Sequence, residues 1–263
     1  MPPAPLFWSP ALPSHLLAYV LATCTYPTTL IICSTRESFV SCLVDDFKHR
    51  GRSNNGLQPE REQESPLISG DGDKLLPGVA NDVPDVAQSL LSSTLSQVAI
   101  AKHIRLVFVP TVSHLRVSLS HFSATSSEVS APPSNFSRPS VPDPRLQTPF
   151  LIVFGFLELH RNTSEWSAQG ISNTAAALVD AAVSAEMKIC VIEPALGDSD
   201  RSTLDTVIGE AVPVLSRSAL RAVSELDEAR WTGRTVEIRQ VLGRWFRFRT
   251  RNWANPFVEP ETL

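Results

Sequence analysis

A chain of 263 residues, 43% hydrophobic and 19% charged, can bury a sizeable core in one large or two small domains. Its formal net charge of -4 excludes a global electrostatic pull toward nucleic acid or anionic membrane, so any basic surface has to be local. Twenty-one prolines against eleven glycines argue for stiff loops and unstructured insertions and against a regular repeat protein.

In chain order, the run Leu16–Cys24 resembles the apolar part of a signal peptide. No Lys or Arg precedes Arg36, however, and the run is too short to span a bilayer. Residues 13–22 are therefore expected as a core helix opened by Ser14. Thr28–Ser34 reads as a β-branched, apolar strand and Glu37–Lys48 as an amphipathic helix. Residues 49–85, rich in Gly, Pro, Asn, Glu and Ser with no apolar period, are expected as a disordered insertion. A helix near 86–101, a strand at 104–109 and a helix at 113–122 form a second unit. Residues 123–149, with six prolines from Pro132 to Pro149, are a Ser/Pro-rich linker. The stretch 150–193 then reads as buried strand (Phe150–Phe154), polar loop, long helix and second buried strand (Lys188–Glu193). A polar, partly helical stretch and a closing segment at 236–248 follow, with 252–263 expected as a flexible tail.

Short apolar strands separated by helices predict a single α/β domain over residues 1–263, with a largely parallel sheet flanked by helices and two disordered insertions. Cys24, Cys33, Cys42 and Cys190 have no zinc-site spacing and read as free thiols, which suits a reducing compartment.

Open α/β sheets place ligands at the C-terminal ends of their strands, and three such ends are readable. The first, Ile32-Cys-Ser-Thr-Arg-Glu-Ser-Phe39, resembles the second strand of the RecA-like recombinase core, where an apolar strand runs into Asp-Thr-Glu-Gly-x-Phe. Thr35 and Phe39 match, while Ser34, Arg36 and Glu37 replace Asp, Glu and Gly. In that family the Glu helps to activate the attacking water, and Arg36 cannot act as a base. The plainer alternative is a strand followed by a helix capped by Ser34 or Thr35. The second end is Phe154, which stands where the resemblance would put the magnesium-holding Asp. The third is Glu165-Trp-Ser-Ala-Gln169, which resembles the Glu-Leu-Ser-Ala-Arg-Gln segment of eukaryotic recombinases and their paralogues. That family's DNA-binding loops flank this region, so the resemblance makes Arg161 a DNA contact and His160 and Trp166 partner or loop contacts. Otherwise Ser164 or Ser167 is a helix cap and Trp166 a packed side chain.

Gly243-Arg-Trp-Phe-Arg-Phe-Arg-Thr-Arg-Asn-Trp253, read as a strand, puts Phe246 and Phe248 on one face and Arg247, Arg249 and Arg251 on the other. Basic residues interleaved with aromatics suit single-stranded nucleic acid, with charge for phosphates and flat faces for bases. Arg244, Arg247, Arg249 and Arg251 are thus candidate phosphate contacts, with Trp245 a candidate partner or loop contact. The competing explanation is an edge strand whose arginines keep it unpaired. No phosphate-binding loop, nucleophile elbow, His-Glu-x-x-His or paired Cys-x-x-Cys is present, so no catalytic residue, metal ligand or cofactor is expected.

Together these segments resemble a degenerate RecA-like recombinase paralogue, of the kind found in the non-catalytic Shu complex. The resemblance implies a nuclear, non-enzymatic subunit that pairs with a second RecA-like paralogue and assists recombinase loading. It also implies binding to single-stranded or forked DNA, with no membrane association. The runner-up is an ATPase-dead RecA-like subunit of the tRNA-modifying Elongator complex. A small-molecule α/β enzyme using Ser34, Glu158 and Glu193 is a third reading.

Overall fold

A run that is apolar at every position, such as Phe150-Leu-Ile-Val-Phe154, can be a strand only where the sheet is covered on both faces. The computed structural model has this arrangement. It describes residues 4–24, 26–55, 90–91, 94–123, 129–130, 149–195, 203–215, 234–253 and 261–262. Most of both expected insertions lies outside these residues.

The elements are β1 (Leu6–Ala11), α1 (Pro13–Thr23), β2 (Thr28–Ile32), α2 (Arg36–Asn55), α3 (Leu95–Ala101), β3 (Ile104–Phe108), α4 (Val112–Ser120) and β4 (Phe150–Phe154). They continue with α5 (Phe156–His160), α6 (Ala168–Ser184), β5 (Lys188–Pro194), α7 (Leu204–Ile208), β6 (Ala211–Pro213), β7 (Thr235–Glu237), α8 (Ile238–Leu242), β8 (Arg247–Thr250) and β9 (Glu261–Thr262). The main sheet has the order β3-β2-β4-β5-β1-β8-β9. Its first six strands are mutually parallel, and β9 runs antiparallel to β8. The short pair β6-β7 forms a separate antiparallel ribbon.

Alternation along each strand splits the core into two layers. Phe7, Ile31, Leu151, Val153, Ile189 and Val191 point to one face, under Leu115 of α4, Ile171 and Leu178 of α6 and Ile238 of α8. Trp8, Leu30, Ile32, Ile152, Phe154 and Ile192 point to the other, under Leu16, Tyr19 and Val20 of α1 and Phe39 of α2. Each such side chain, fully buried, contributes about 1.5–3 kcal/mol, so the central strands are held from both sides. The α/β class and the parallel, helix-flanked sheet stand as expected.

Several local expectations are corrected. Leu6–Ala11, not anticipated as a strand, sits between β5 and β8. Its Pro10 is tolerated because the pairing with β5 is irregular between Trp8 and Ala11. Ser14 lies inside α1 and does not cap it; Leu12 holds the cap position without a side-chain bond, and Pro13 fills the first turn. The helix α2 continues through Asn55, so the first insertion does not begin at His49. Of the helix expected near 86–101, residues 90–91 are helical and Leu95–Ala101 form α3, opened by a reciprocal Thr94–Gln97 capping box, while 86–89 and 92–93 lie outside the described residues. The expected polar loop after β4 begins instead with α5, whose Phe156, Leu157, Leu159 and His160 are buried. Within the expected tail, Trp253 is buried, its indole N–H donates to the Ser9 carbonyl, and Glu261–Thr262 pair with β8, while 254–260 and 263 lie outside the described residues. β8 is therefore not an edge strand.

Candidate functional site

The C-terminal ends of β2, β4, β5 and β1 lie side by side and are knitted together by backbone hydrogen bonds. Ile32 is in register with Phe154, and Phe154 with Ile192. The Cys33 N–H donates to the Phe154 carbonyl at 2.8 Å, and Gly155 N–H to the Ile192 carbonyl at 2.9 Å. Gly155 turns the chain sharply from β4 into α5 at φ +82°, a left-handed conformation that favours glycine.

Two features at these ends bear on phosphate chemistry. Leu12 alone separates β1 from α1, which leaves no loop to wrap an anion. At the first turn of α1 the Ser14 N–H donates to Asp46 Oδ2 of α2, 3.1 Å away, and Asp46 is buried. A carboxylate of the chain thus occupies a place where the helix would favour an anion. Beyond β2, Thr35 caps α2 by accepting the Ser38 N–H, while Ser34 Oγ donates to the Thr35 carbonyl. Of the two cap candidates named from the sequence, Thr35 fills the role.

Glu193 ends β5 as a buried carboxyl. It accepts the backbone N–H of Leu157 at 2.8 Å and of Glu158 at 3.3 Å, holding α5 against the sheet. Burial pushes its pKa up to about 8, against the lowering pull of those two donors. Burial, and then the neighbouring Glu193, raises the Cys33 thiol. Glu158 itself is exposed and pairs with Arg161. Among the described residues, no group of three or more His, Cys, Asp or Glu could hold a metal ion.

The segment 160–170 is built as an internal clamp. Arg161 makes a two-pronged ion pair with Glu210, at 2.7 and 2.8 Å, and its Nε reaches Glu158 at 3.0 Å. Its guanidinium lies over the Trp166 ring, 4.8 Å from the centroid. The hydrogen-bonded Glu210 raises the Arg161 pKa. His160, expected as a surface contact, is an interior side chain with 0% exposure. One of its ring nitrogens faces the Phe156 carbonyl and the other Thr174 Oγ1, at 2.8 and 3.0 Å; burial lowers its pKa. Arg116 closes the network, donating to Glu165, Thr174 and the Gly170 carbonyl. Ser167, not Ser164, caps α6 through the Gly170 N–H. Trp166 is half-buried against the core.

The closing segment divides as its alternation predicts. Phe246 and Phe248 pack on the α6 face, edge-on to Phe7. On the opposite face Arg251 is buried, its guanidinium 4.7, 4.4 and 5.7 Å from the ring centroids of Trp8, Tyr19 and Trp253. It is corrected from a phosphate contact to an interior cation held by aromatic faces. Arg244 and Arg247 are exposed and Arg249 is half-buried; none of the three forms an ion pair among the described residues. Trp245 is half-buried, its indole donating to Ser172.

Asp46, Trp8 and Arg116 were missed from the sequence. Nothing in a helical Asp, an N-terminal Trp among prolines or a lone helical Arg signals its partner, because each partner comes from a distant element. No protein-family model matches the chain, and no curated protein and no solved structure does.

Proposed function

We propose that the chain is a non-catalytic, RecA-like recombinase paralogue that binds single-stranded or forked DNA and pairs with a second paralogue to assist recombinase loading in the nucleus. One observation carries the non-catalytic part. The two strands whose ends would bear the water-activating Glu and the magnesium-holding Asp, β2 and β4, are direct neighbours in register. A shared nucleotide would require this of them, since both groups must reach the same terminal phosphate. Yet Arg36 and Phe154 stand in the corresponding sequence positions, and Asp46 sits at the α1 N-terminus. Neighbouring strand ends that lack the groups for turnover support a retained scaffold without hydrolysis.

The DNA-binding part is supported by Arg244, Arg247 and Arg249, which project from one short segment without carboxylate partners among the described residues. The pairing part is supported by β3, which has no outer neighbour among the described residues, and by the exposed Leu106, Val40 and Val44 nearby in the fold.

The test is binding of a fluorescent single strand by Arg244→Gln/Arg247→Gln across a salt series. Loss of two phosphate contacts should weaken binding and flatten the log–log salt slope by roughly 1.4. Unchanged affinity and slope would remove this segment from the DNA surface.

A further inference from the structure

The indole N–H of Trp8 and the Nε–H of Arg249 are both buried, and neither has an acceptor among the described residues. The two residues are direct partners across the parallel β1–β8 pair, so their side chains leave the same face of the sheet, from strands about 4.8 Å apart. Trp8 is only 3% exposed. The contrast with its neighbours is informative: Trp245 donates to Ser172 and Trp253 to the Ser9 carbonyl, while the more deeply buried Trp8 donates to nothing.

A buried donor without an acceptor costs about 1–3 kcal/mol, more when it belongs to a charged group. One acceptor lying between these two partnered residues would satisfy both donors. The groups described beside Trp8 are the Arg251 guanidinium, 4.7 Å from its ring, and the side chains of Tyr19 and Trp253, so positive charge dominates there. An oxyanion only accepts, and it also offsets the charge of arginines spaced two apart along one strand face. Arg249 is half-buried and its neighbour on the same face, Arg247, is exposed, while Trp8 is sealed from solvent.

We propose that Trp8 Nε1 and Arg249 Nε form the base of a binding site for a phosphate oxyanion that enters past Arg247. The phosphate belongs either to a free phosphate ester or to a nucleic-acid backbone, which present the same oxygen. The site shares Arg249 with the DNA surface proposed above but rests on the burial of these donors and not on that reading.

The test follows the indole ¹H–¹⁵N resonances of the full-length protein, with Trp8 assigned by Trp8→Phe. If that variant fails to fold, triple-resonance assignment of the wild type replaces it. Inorganic phosphate and a short oligo-dT strand are titrated separately into wild type and Arg249→Gln. A saturable downfield shift of the Trp8 indole proton is expected, with the dissociation constant raised about tenfold or more in Arg249→Gln. A shift with phosphate alone identifies a free-ester site, and a shift with the oligonucleotide only identifies a backbone site. An unmoved Trp8 resonance with both probes overturns the proposal, as does a shift identical in Arg249→Gln. Oligonucleotide binding with Trp8 unmoved removes this site but leaves the DNA reading standing. A phosphate-induced shift without oligonucleotide binding does the reverse.

Discussion

Asp46 Oδ2 accepts the backbone N–H of Ser14 at 3.1 Å, tying the middle of α2 to the first turn of α1. The contact satisfies one of the amide donors that every helix start leaves without an intrahelical partner. It also places a buried carboxyl beside the C-terminal end of β1.

Removing that carboxylate should therefore be felt as a lost buried cap. Asp46→Ala is expected to lower stability by about 1–2 kcal/mol, and Asp46→Asn, which keeps an acceptor, by less. Urea denaturation followed by circular dichroism measures both. Equal, negligible losses would show that α1 and α2 are joined by apolar packing alone.

Two interior groups, Glu193 and His160, pull stability in opposite directions with pH. Burial raises Glu193 to about 8 from about 4.5, so between these values the folded chain holds a proton that the unfolded chain has released. Its contribution is full below about pH 4.5 and declines as pH rises toward 8. His160 is lowered from 6.5 by burial, so the unfolded chain binds its proton first and stability falls as pH drops below about 6.5. Glu193→Gln should abolish the decline toward pH 8 and retain the acid-side loss, and His160→Gln the reverse. Denaturation midpoints over this range check both, and a Glu193→Gln profile parallel to wild type would contradict the first.

Arg161 is bound into the fold by Glu210 and Glu158, and its side chain is 35% exposed. Arg161→Gln and Glu210→Gln should each cost about 1 kcal/mol, with most of that recovered as coupling in the double mutant. The salt slope of DNA binding should not change in Arg161→Gln. A slope reduced as in the Arg244/Arg247 variant would restore Arg161 to the DNA surface.

Gly170 is required by close approach, because a Cβ there would strike the carbonyl of Glu165. Gly170→Ala should destabilise the chain by about 1–3 kcal/mol as the turn at 165–167 shifts. It should also loosen the Arg116 bonds to Glu165 and Gly170, which would show as faster amide exchange at the start of α6. Wild-type stability and exchange would mean that the turn yields without cost.

Much of the fold was legible because its signals are local. Phe150–Phe154 and Lys188–Glu193 are short, continuously apolar runs, and burial on both sheet faces requires such runs. Ser167 stands immediately before the apolar period of α6 and caps it. The alternation of Phe and Arg from Phe246 to Arg251 assigns its two faces correctly, because strand periodicity is a property of the backbone. β1 was not legible: Pro5, Pro10 and Pro13 crowd Leu6–Ala11, and proline ordinarily argues against a central strand.

The amino-acid sequence by itself determined the class of fold, the strands of the sheet centre and the absence of a phosphate-binding loop, since each rests on composition or spacing within a few residues. Only the tertiary structure decided which charges are available. Arg161 and Arg251 look in sequence like Arg244 and Arg247, but one is held by Glu210 and the other by Trp8, Tyr19 and Trp253. The Trp8–Arg249 pair likewise exists only because β1 and β8, from opposite ends of the chain, are neighbours in the sheet. Strand order is set by the packing of the whole chain, and no local pattern encodes it.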